Sequence, residues 1–486
     1  MQYRQQTIKT FGLTTLVLGA LVSGCAFQTY TAKPLNASTT SSEFRAHDPL
    51  GAEFQAYLKI QSYKERQTPG LDWGLNEVIY SALYFHPDLD VARATWRASL
   101  AAEKMAGQRP NPGISGDMEH HSETDNGISP WTYGLAIDIP IETAGKRQAR
   151  IDRASSLSEA ARIEIAQTAW KVRSRVHDSW IAYQAALSQS SLLEQELALR
   201  VEIAAMLEAR LSAGMVSSLE SANARLQLQK TRQLFDAEKT HLHELKARLA
   251  SHAGLTLENL NKVVLLAEDR SQTDARRQEL ISDPDKLAKL QESAMHNRLD
   301  IRAALARYQG AEAKLKLEIA RQYPDVVLSP GYSYDQGDRI WSLSISTLLA
   351  LLNRNEGNIA EAEAQREVEA AKFKALQADV IGELESRKAA YMQALGTLND
   401  TKRLLEAQTE RTLLTEKQFE QGIADRLELT TTKLENLLVQ QALINNDLRV
   451  KRAGRALEEA MQQPLENTLS MPGDLDREAS MESRQQ

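Results

Sequence analysis

The chain is 486 residues long, a quarter of them charged, with a formal net charge of −7. That balance argues against nucleic acid as a partner, because a phosphate-binding face needs a basic excess. One cysteine, Cys25, excludes an intramolecular disulfide, and scarce aromatics among plentiful Ala, Leu, Glu, Gln and Arg predict a mainly helical protein.

In chain order, residues 1–24 read as a signal peptide. Arg4 and Lys9 are positive, and the apolar run Phe11 to Leu21 is too short to span a membrane. The following "LVSGC" resembles the bacterial lipobox. That resemblance implies cleavage before Cys25 and acylation of its thiol and new amino group. Ala26, in place of Asp, favours the outer membrane in enteric-type sorting. Acyl chains anchor through about 0.8 kcal/mol per buried methylene. The Thr-, Ser- and Pro-rich stretch after Cys25, to about residue 71, predicts an extended linker.

From residue 72 to 463 the chain is built twice. "LDVARATW" (Leu89 to Trp96) matches "LDIRAALA" (Leu299 to Ala306), and Trp131 matches Trp341 at the same offset of 210. "AGMVSSLE" (Ala213 to Glu220) matches "QGIADRLE" (Gln421 to Glu428) at 208. A period this long means a duplicated domain, not a solenoid. No proline occurs between Pro140 and Pro284, or between Pro330 and Pro464, so both tracts are free to be long helices. The first repeat, 72–255, predicts a helix over 72–108, a β-hairpin over 113–141 and helices over 147–212 and 217–252. A connecting segment, 256–285, follows. The second repeat, 286–463, predicts a helix over 286–322, a hairpin over 325–349 and helices over 357–420 and 425–462. The tail, 464–486, is polar.

The strands alternate. Trp131, Tyr133, Leu135, Ile137 and Ile139 fall on one side and small or polar residues on the other. Tyr332, Tyr334, Trp341, Leu343 and Ile345 repeat the pattern. A half-buried strand of a soluble sheet alternates in the same way. The lipoprotein signal and the long helices select the other reading, a transmembrane barrel with these residues facing lipid. Four strands cannot close, and an open edge cannot sit in lipid. Two chains would supply the minimum of about eight strands and three would supply twelve.

With those features the chain resembles the outer-membrane channel subunits of tripartite efflux pumps and type I secretion systems, the TolC-like factors. The resemblance implies a homotrimer, with a twelve-stranded β-barrel continued by a periplasmic α-helical barrel. It implies outer-membrane lipid, a periplasmic adaptor and a proton-driven inner-membrane transporter as partners, and neither cofactor nor catalysis. The turns at Gly214 and Gly422 resemble the family's adaptor-docking tips, with Arg210 and Leu211 of "RLSAG" and Gln418 of "QFEQG" beside them. "ETAGKRQARI" (Glu142 to Ile151) and "LLNRNEGNIAEAEA" (Leu351 to Ala364) look most like the cobalt–zinc–cadmium branch, although "STLLALL" lacks that branch's usual proline. Drug export, secretion and a lipid-anchored periplasmic scaffold are the alternatives.

Glu220, Asp425 and Glu428 lie just past the two turns. Carboxylates near a helix start favour the macrodipole. In a trimer they would also ring the pore and select cations, with Asp425 the foremost candidate. His120 and His121 sit side by side on a strand, where neighbours point to opposite faces, and His241 and His243 cannot share a helix face, so neither pair predicts a metal site. No nucleophile–base order, phosphate loop or Cys cluster is present. The expected class is therefore a duct, not an enzyme.

Overall fold

The computed structural model describes residues 28–61, 71–123, 127–266 and 284–463. Residues up to Ala46 form one unit and those from His47 onward another. Cys25, expected to be acylated, lies outside the described residues, as do the signal peptide and the polar tail.

The first unit contributes helix α1 (Ala37–Arg45), started by Asn36, whose side chain accepts the Ser38 amide at 2.9 Å. The second unit opens with α2 (Ala52–Gln61). These two helices correct the expectation of an extended linker. Phe54 and Leu58 of α2 are each 1% exposed, buried in one core with Trp73, Val78, Val176 and Trp180. Two apolar side chains four residues apart suffice to seat a ten-residue helix, and a Thr- and Ser-rich background conceals so short a stripe.

The first repeat follows as β1 (Asp72–Trp73), α3 (Leu75–Phe85), α4 (Pro87–Ala106), β2 (Gly113–His120), β3 (Trp131–Ile141), α5 (Lys146–Ser212) and α6 (Ser218–His252). A short α7 (Leu257–Leu260) leads to β4 (Val264–Leu265), which returns to pair in parallel with β1. The second repeat is α8 (Pro284–Asn297), α9 (Leu299–Ala320), β5 (Val326–Asp335), β6 (Asp338–Thr347), α10 (Glu356–Glu420) and α11 (Arg426–Met461). The single helices expected over 72–108 and 286–322 are each broken in two. At the first break Pro87 occupies the opening turn of α4, and His86 caps it by accepting the Asp88 amide on Nδ1 at 3.2 Å. At the second, Arg298 is extended and its guanidinium meets Asp300 at 2.7 Å.

Helix α5 has 67 residues and α10 has 65. At 1.5 Å per residue each is about 100 Å long. Each repeat has its own core. Trp180 and Tyr183 pack into the first, with Leu249 and Leu260. Val380, Leu384, Tyr391, Leu398 and Leu457 build the second. A polar cluster joins α5 to α11. Glu459 accepts from Trp170 Nε1 at 3.0 Å and from Ser174 Oγ at 2.5 Å, and Arg455, 6% exposed, donates to Asp178 at 2.9 Å and to Glu459 at 3.1 Å.

The hairpins merge into one four-stranded antiparallel sheet of order β2-β3-β5-β6. The β3–β5 pair links the two repeats, with Tyr133 opposite Tyr334 and Ile141 opposite Val326. That ladder skips from Ala136 to Ile139, beside Pro330, which has no amide to donate.

Candidate functional site

The sheet has two unlike faces, as the registers show. Ile114 and Met118 from β2 lie with Leu135, Ile137 and Ile139 from β3. Trp131, Tyr133, Tyr332, Tyr334, Trp341, Leu343 and Ile345 share that side, completing the apolar set expected from the alternation. Tyr133 stacks on Tyr334 and Tyr332 meets Trp341, at centroid distances of 5.1 and 5.0 Å. Among the described residues nothing covers this face: Trp341 is 81% exposed, Leu343 67% and Ile345 68%. An apolar patch of this extent marks a surface meant for another phase or partner.

The other face is small and acidic. Ser115, Gly134, Ala136, Gly331, Ser342 and Ser344 alternate with Asp117, Glu119, Asp138, Asp335 and Asp338. It carries no Lys or Arg, and Arg339 falls on the apolar side opposite Tyr334. The carboxylates are seated. Ser329 Oγ donates to Asp138 and Thr132 Oγ1 to Asp335, both at 2.5 Å. The Asp117 carboxylate lies where a side chain at 134 would stand, its Oδ1 2.5 Å from the Cβ position, so a larger residue there would push that exposed carboxylate aside. Among the described residues neither β2 nor β6 has a second neighbour, so both edges offer unpaired amides and carbonyls.

At the far ends of α5 and α10 sit two matching turns. Gly214 and Gly422 both have φ of +73°. The amide of Met215 donates to Arg210 O at 2.9 Å, and that of Ile423 to Gln418 O at 2.8 Å. The Gly214 amide donates to Leu211 O at 2.9 Å, and the Gly422 amide to Phe419 O at 3.0 Å. Each is a Schellman cap, which needs a left-handed residue at that position. Arg210, Leu211 and Gln418 thus serve the turns through their carbonyls. Met215, Leu219 and Ile423 stand exposed around them.

The acidic residues near the turns start helices. Asp425 caps α11 by accepting the Glu428 amide at 2.9 Å, and Ser217 caps α6 by accepting the Glu220 amide at 3.3 Å. The Asp425 carboxylate is also bonded to the Arg210 guanidinium at 2.8 Å, which ties one turn to the other. Sequence reasoning missed this pair, since its members are 215 residues apart. A second tie joins Arg426 to Glu202 at 2.6 Å. The Arg210 hydrogen bond, then the Glu428 amide, hold the Asp425 carboxyl below the usual range. A lowered carboxyl pKa gives a contact that is complete above the ordinary value and lost as pH falls through the lowered one. Trypsin cleavage at Lys417, beside the second turn, should therefore stay slow from neutral to mildly acid pH and speed up in Arg210→Ala. Equal rates in the variant would show that the pair does not hold the turns.

His120 packs edge-on against Trp131 at 4.6 Å, and His121 Nε2 lies 3.1 Å from Thr132 Oγ1. Among the described residues no group of three or more His, Cys, Asp or Glu is placed to hold a metal ion, and no helix is long and apolar enough to cross a membrane.

Over 259 residues the chain is 27% identical to the cobalt–zinc–cadmium resistance protein CzcC of Cupriavidus metallidurans, a match covering 53% of this chain and 58% of that one. The chain thus spans little more than half the length of this curated relative. Its fold is similar to the outer membrane protein VceC of Vibrio cholerae, with a TM-score of 0.63 at 19% identity over 81% of this chain and 97% of that one. It is similar too to CusC, with a TM-score of 0.65 at 16% identity over 90% of this chain and all of that one. The outer membrane efflux protein family model matches residues 78–255 and 290–462, one match to each repeat. The chain therefore belongs to the outer membrane efflux protein family.

Proposed function

We propose that three copies of this chain form a passive exit duct across the outer membrane, with heavy-metal cations as its cargo. The observation that carries the reading is the two-faced sheet with both edges open. An apolar face this exposed suits lipid, and open edges are tolerated there only if another copy pairs with them. Three copies supply twelve strands, within the range of bacterial barrels. Strands of eight to eleven residues have the length a tilted transmembrane strand needs.

The helices support the same assembly. Among the described residues α10 buries only seven of its 65. Ile381, Met392, Leu404 and Leu414 remain exposed along it. Exposed apolar side chains of this kind suit packing against a neighbouring copy. The two turns then form the periplasmic mouth, where Met215, Leu219 and Ile423 would meet an adaptor protein that connects the duct to an inner-membrane transporter. No bond is made or broken by the duct, and its energy comes from the transporter. Replacing Gly214 and Gly422 with valine should strain both caps, at about 1–2 kcal/mol each. Neither change causes a clash, because nothing lies within 4 Å of either Cβ position. Trimer yield should hold while adaptor cross-linking falls, and a lost trimer would count against a docking role.

Cationic cargo is supported by the acidic sheet face. In a trimer its five carboxylates per chain, with no Lys or Arg among them, would line the barrel lumen. Rings of carboxylates favour cations. The similarity to a cobalt–zinc–cadmium resistance protein points the same way. The test is cell-associated cobalt, zinc, cadmium and copper in a deletion strain after a sublethal load, with dye retention alongside. Raised metal with normal dye is expected; normal metal with raised dye would assign the duct to drug export.

A further inference from the structure

The strand–helix junctions carry a feature that a duct does not require. The start of β2, the end of β3, the start of β5 and the end of β6 lie at one end of the sheet, with Gly113 opposite Asp138 and Ile141, Val326 and Thr347 in one row. Each of these four junctions carries at least one basic residue. Arg109 precedes β2, Lys146, Arg147 and Arg150 follow β3, Arg321 precedes β5 and Arg354 follows β6. Among the described residues the opposite end carries Glu123, Asp335 and Asp338 against Arg339.

Three of the six cations are matched within the chain: Lys146 with Asp325, Arg150 with Glu142 and Arg321 with Glu318. The other three, Arg109, Arg147 and Arg354, are exposed. Among the described residues none of them has a carboxylate within ion-pair distance. Arg147 donates only to the Gly107 carbonyl, at 2.7 Å.

An apolar hook adjoins the basic collar. Leu348, Leu349, Leu351 and Leu352 follow directly on β6 and are 71 to 103% exposed, without helix or strand to hold them. They lie just past the last strand residue, Leu349 and Leu351 in step with its apolar positions, and end two residues before Arg354. Tyr323, 61% exposed, stands at the neighbouring junction. Leucines that reach hydrocarbon beside arginines that reach phosphate make the two-part pattern of a membrane-interface contact.

We propose that this collar is a binding surface for anionic phospholipid headgroups in the periplasmic leaflet, with Arg109, Arg147 and Arg354 on the phosphates and the Leu348–Leu352 hook inserted among the acyl chains. The proposal rests on the barrel reading above, since only then does this end of the sheet stand at a membrane interface. It commits to lipid over a neighbouring copy because four exposed leucines directly follow a strand of the lipid-facing sheet and the three cations without a carboxylate partner complement phosphate. Guanidinium forks bind phosphate oxygens in pairs, which suits arginine at the three positions named.

The experiment uses the full-length protein in bilayers of equal parts phosphatidylethanolamine and phosphatidylglycerol, with a spin label on one lipid or the other. The fraction of each label immobilised by the protein gives its lipid preference, and conductance is recorded in the same membranes. Wild type should prefer phosphatidylglycerol, and the preference should weaken in high salt. The triple variant Arg109→Ser/Arg147→Ser/Arg354→Ser should still conduct, with its preference reduced about fivefold for each arginine removed. Leu348→Ser/Leu352→Ser should immobilise less lipid of both kinds and remain a trimer on a native gel. Conducting wild type without a lipid preference, or an unchanged preference in the triple variant, overturns the proposal and leaves the duct standing. Loss of the trimer in the leucine variant also overturns it, by giving the hook to a neighbouring copy. Absence of conductance in wild type brings down the barrel reading and this surface with it.

Discussion

Leu343→Arg should abolish stable insertion of the trimer, whereas Ser344→Arg, one residue further on, should leave insertion intact. The two residues are neighbours on β6 and point to opposite faces of the sheet. Leu343 sits midway along its strand in the apolar set, where an arginine facing lipid at the bilayer midplane costs about 2–4 kcal/mol in each copy. Ser344 lies with Asp138 and Ser329 on the small face. An arginine there remains in water and adds a positive charge to an acidic lumen. The checks are the amount of detergent-resistant trimer in the outer-membrane fraction and the reversal potential in a bilayer under a salt gradient. Leu343→Arg should lose the trimer. Ser344→Arg should keep it and shift the reversal potential toward zero selectivity. Equal behaviour of the two variants would show that the faces are not divided between lipid and water.

The second large effect concerns stability. Glu459→Ala should destabilise the protein by roughly 2–4 kcal/mol, because it strips one acceptor from several donors at once. Trp170 Nε1, Ser174 Oγ and Arg455 all bond to this carboxylate. Arg455 is nearly buried and would keep the Ser174 hydroxyl and, as its ion-pair partner, Asp178, which is half exposed. Glu459→Gln retains an acceptor for Trp170 and should recover part of the loss. Because the cluster joins α5 to α11, the change strikes the contact between the two repeats. Urea denaturation in detergent, followed by tryptophan fluorescence, reads the effect directly. A loss below about 0.5 kcal/mol would mean that water replaces the missing acceptor.

Long-range consequences of local pattern were legible in the sequence. The two proline-free tracts, the period-two alternation and the matched glycine turns each have a physical reading within a short window. They lead to the long helices, the two-faced sheet and the paired caps. Pairings between distant residues have no such window. Arg210 with Asp425 and Arg455 with Asp178 connect residues more than 200 apart, and composition says nothing about them. The breaks at His86 and Arg298 also went unread. Apolar spacing continues across both, and the first is forced by Pro87, which is as much at home at a helix start as at a break. Helix α2 was obscured for a different reason. Its seating depends on an aromatic group from several elements, including Phe54, Tyr57, Trp73, Tyr84 and Phe85, which only the folded chain assembles. The basic collar was present in the sequence as scattered arginines. It becomes a surface only when four junctions are brought to one end of one sheet.

The open edges of β2 and β6 have a consequence for gene dosage. In the proposed trimer a pair of copies still has two bare edges, so no partly built duct is at rest in lipid. Assembly is then close to all-or-none, and the number of ducts varies with about the third power of chain abundance while most chains are unassembled. Halving expression would leave about one eighth of the ducts. A cell that throttles synthesis modestly would thereby change its export capacity steeply.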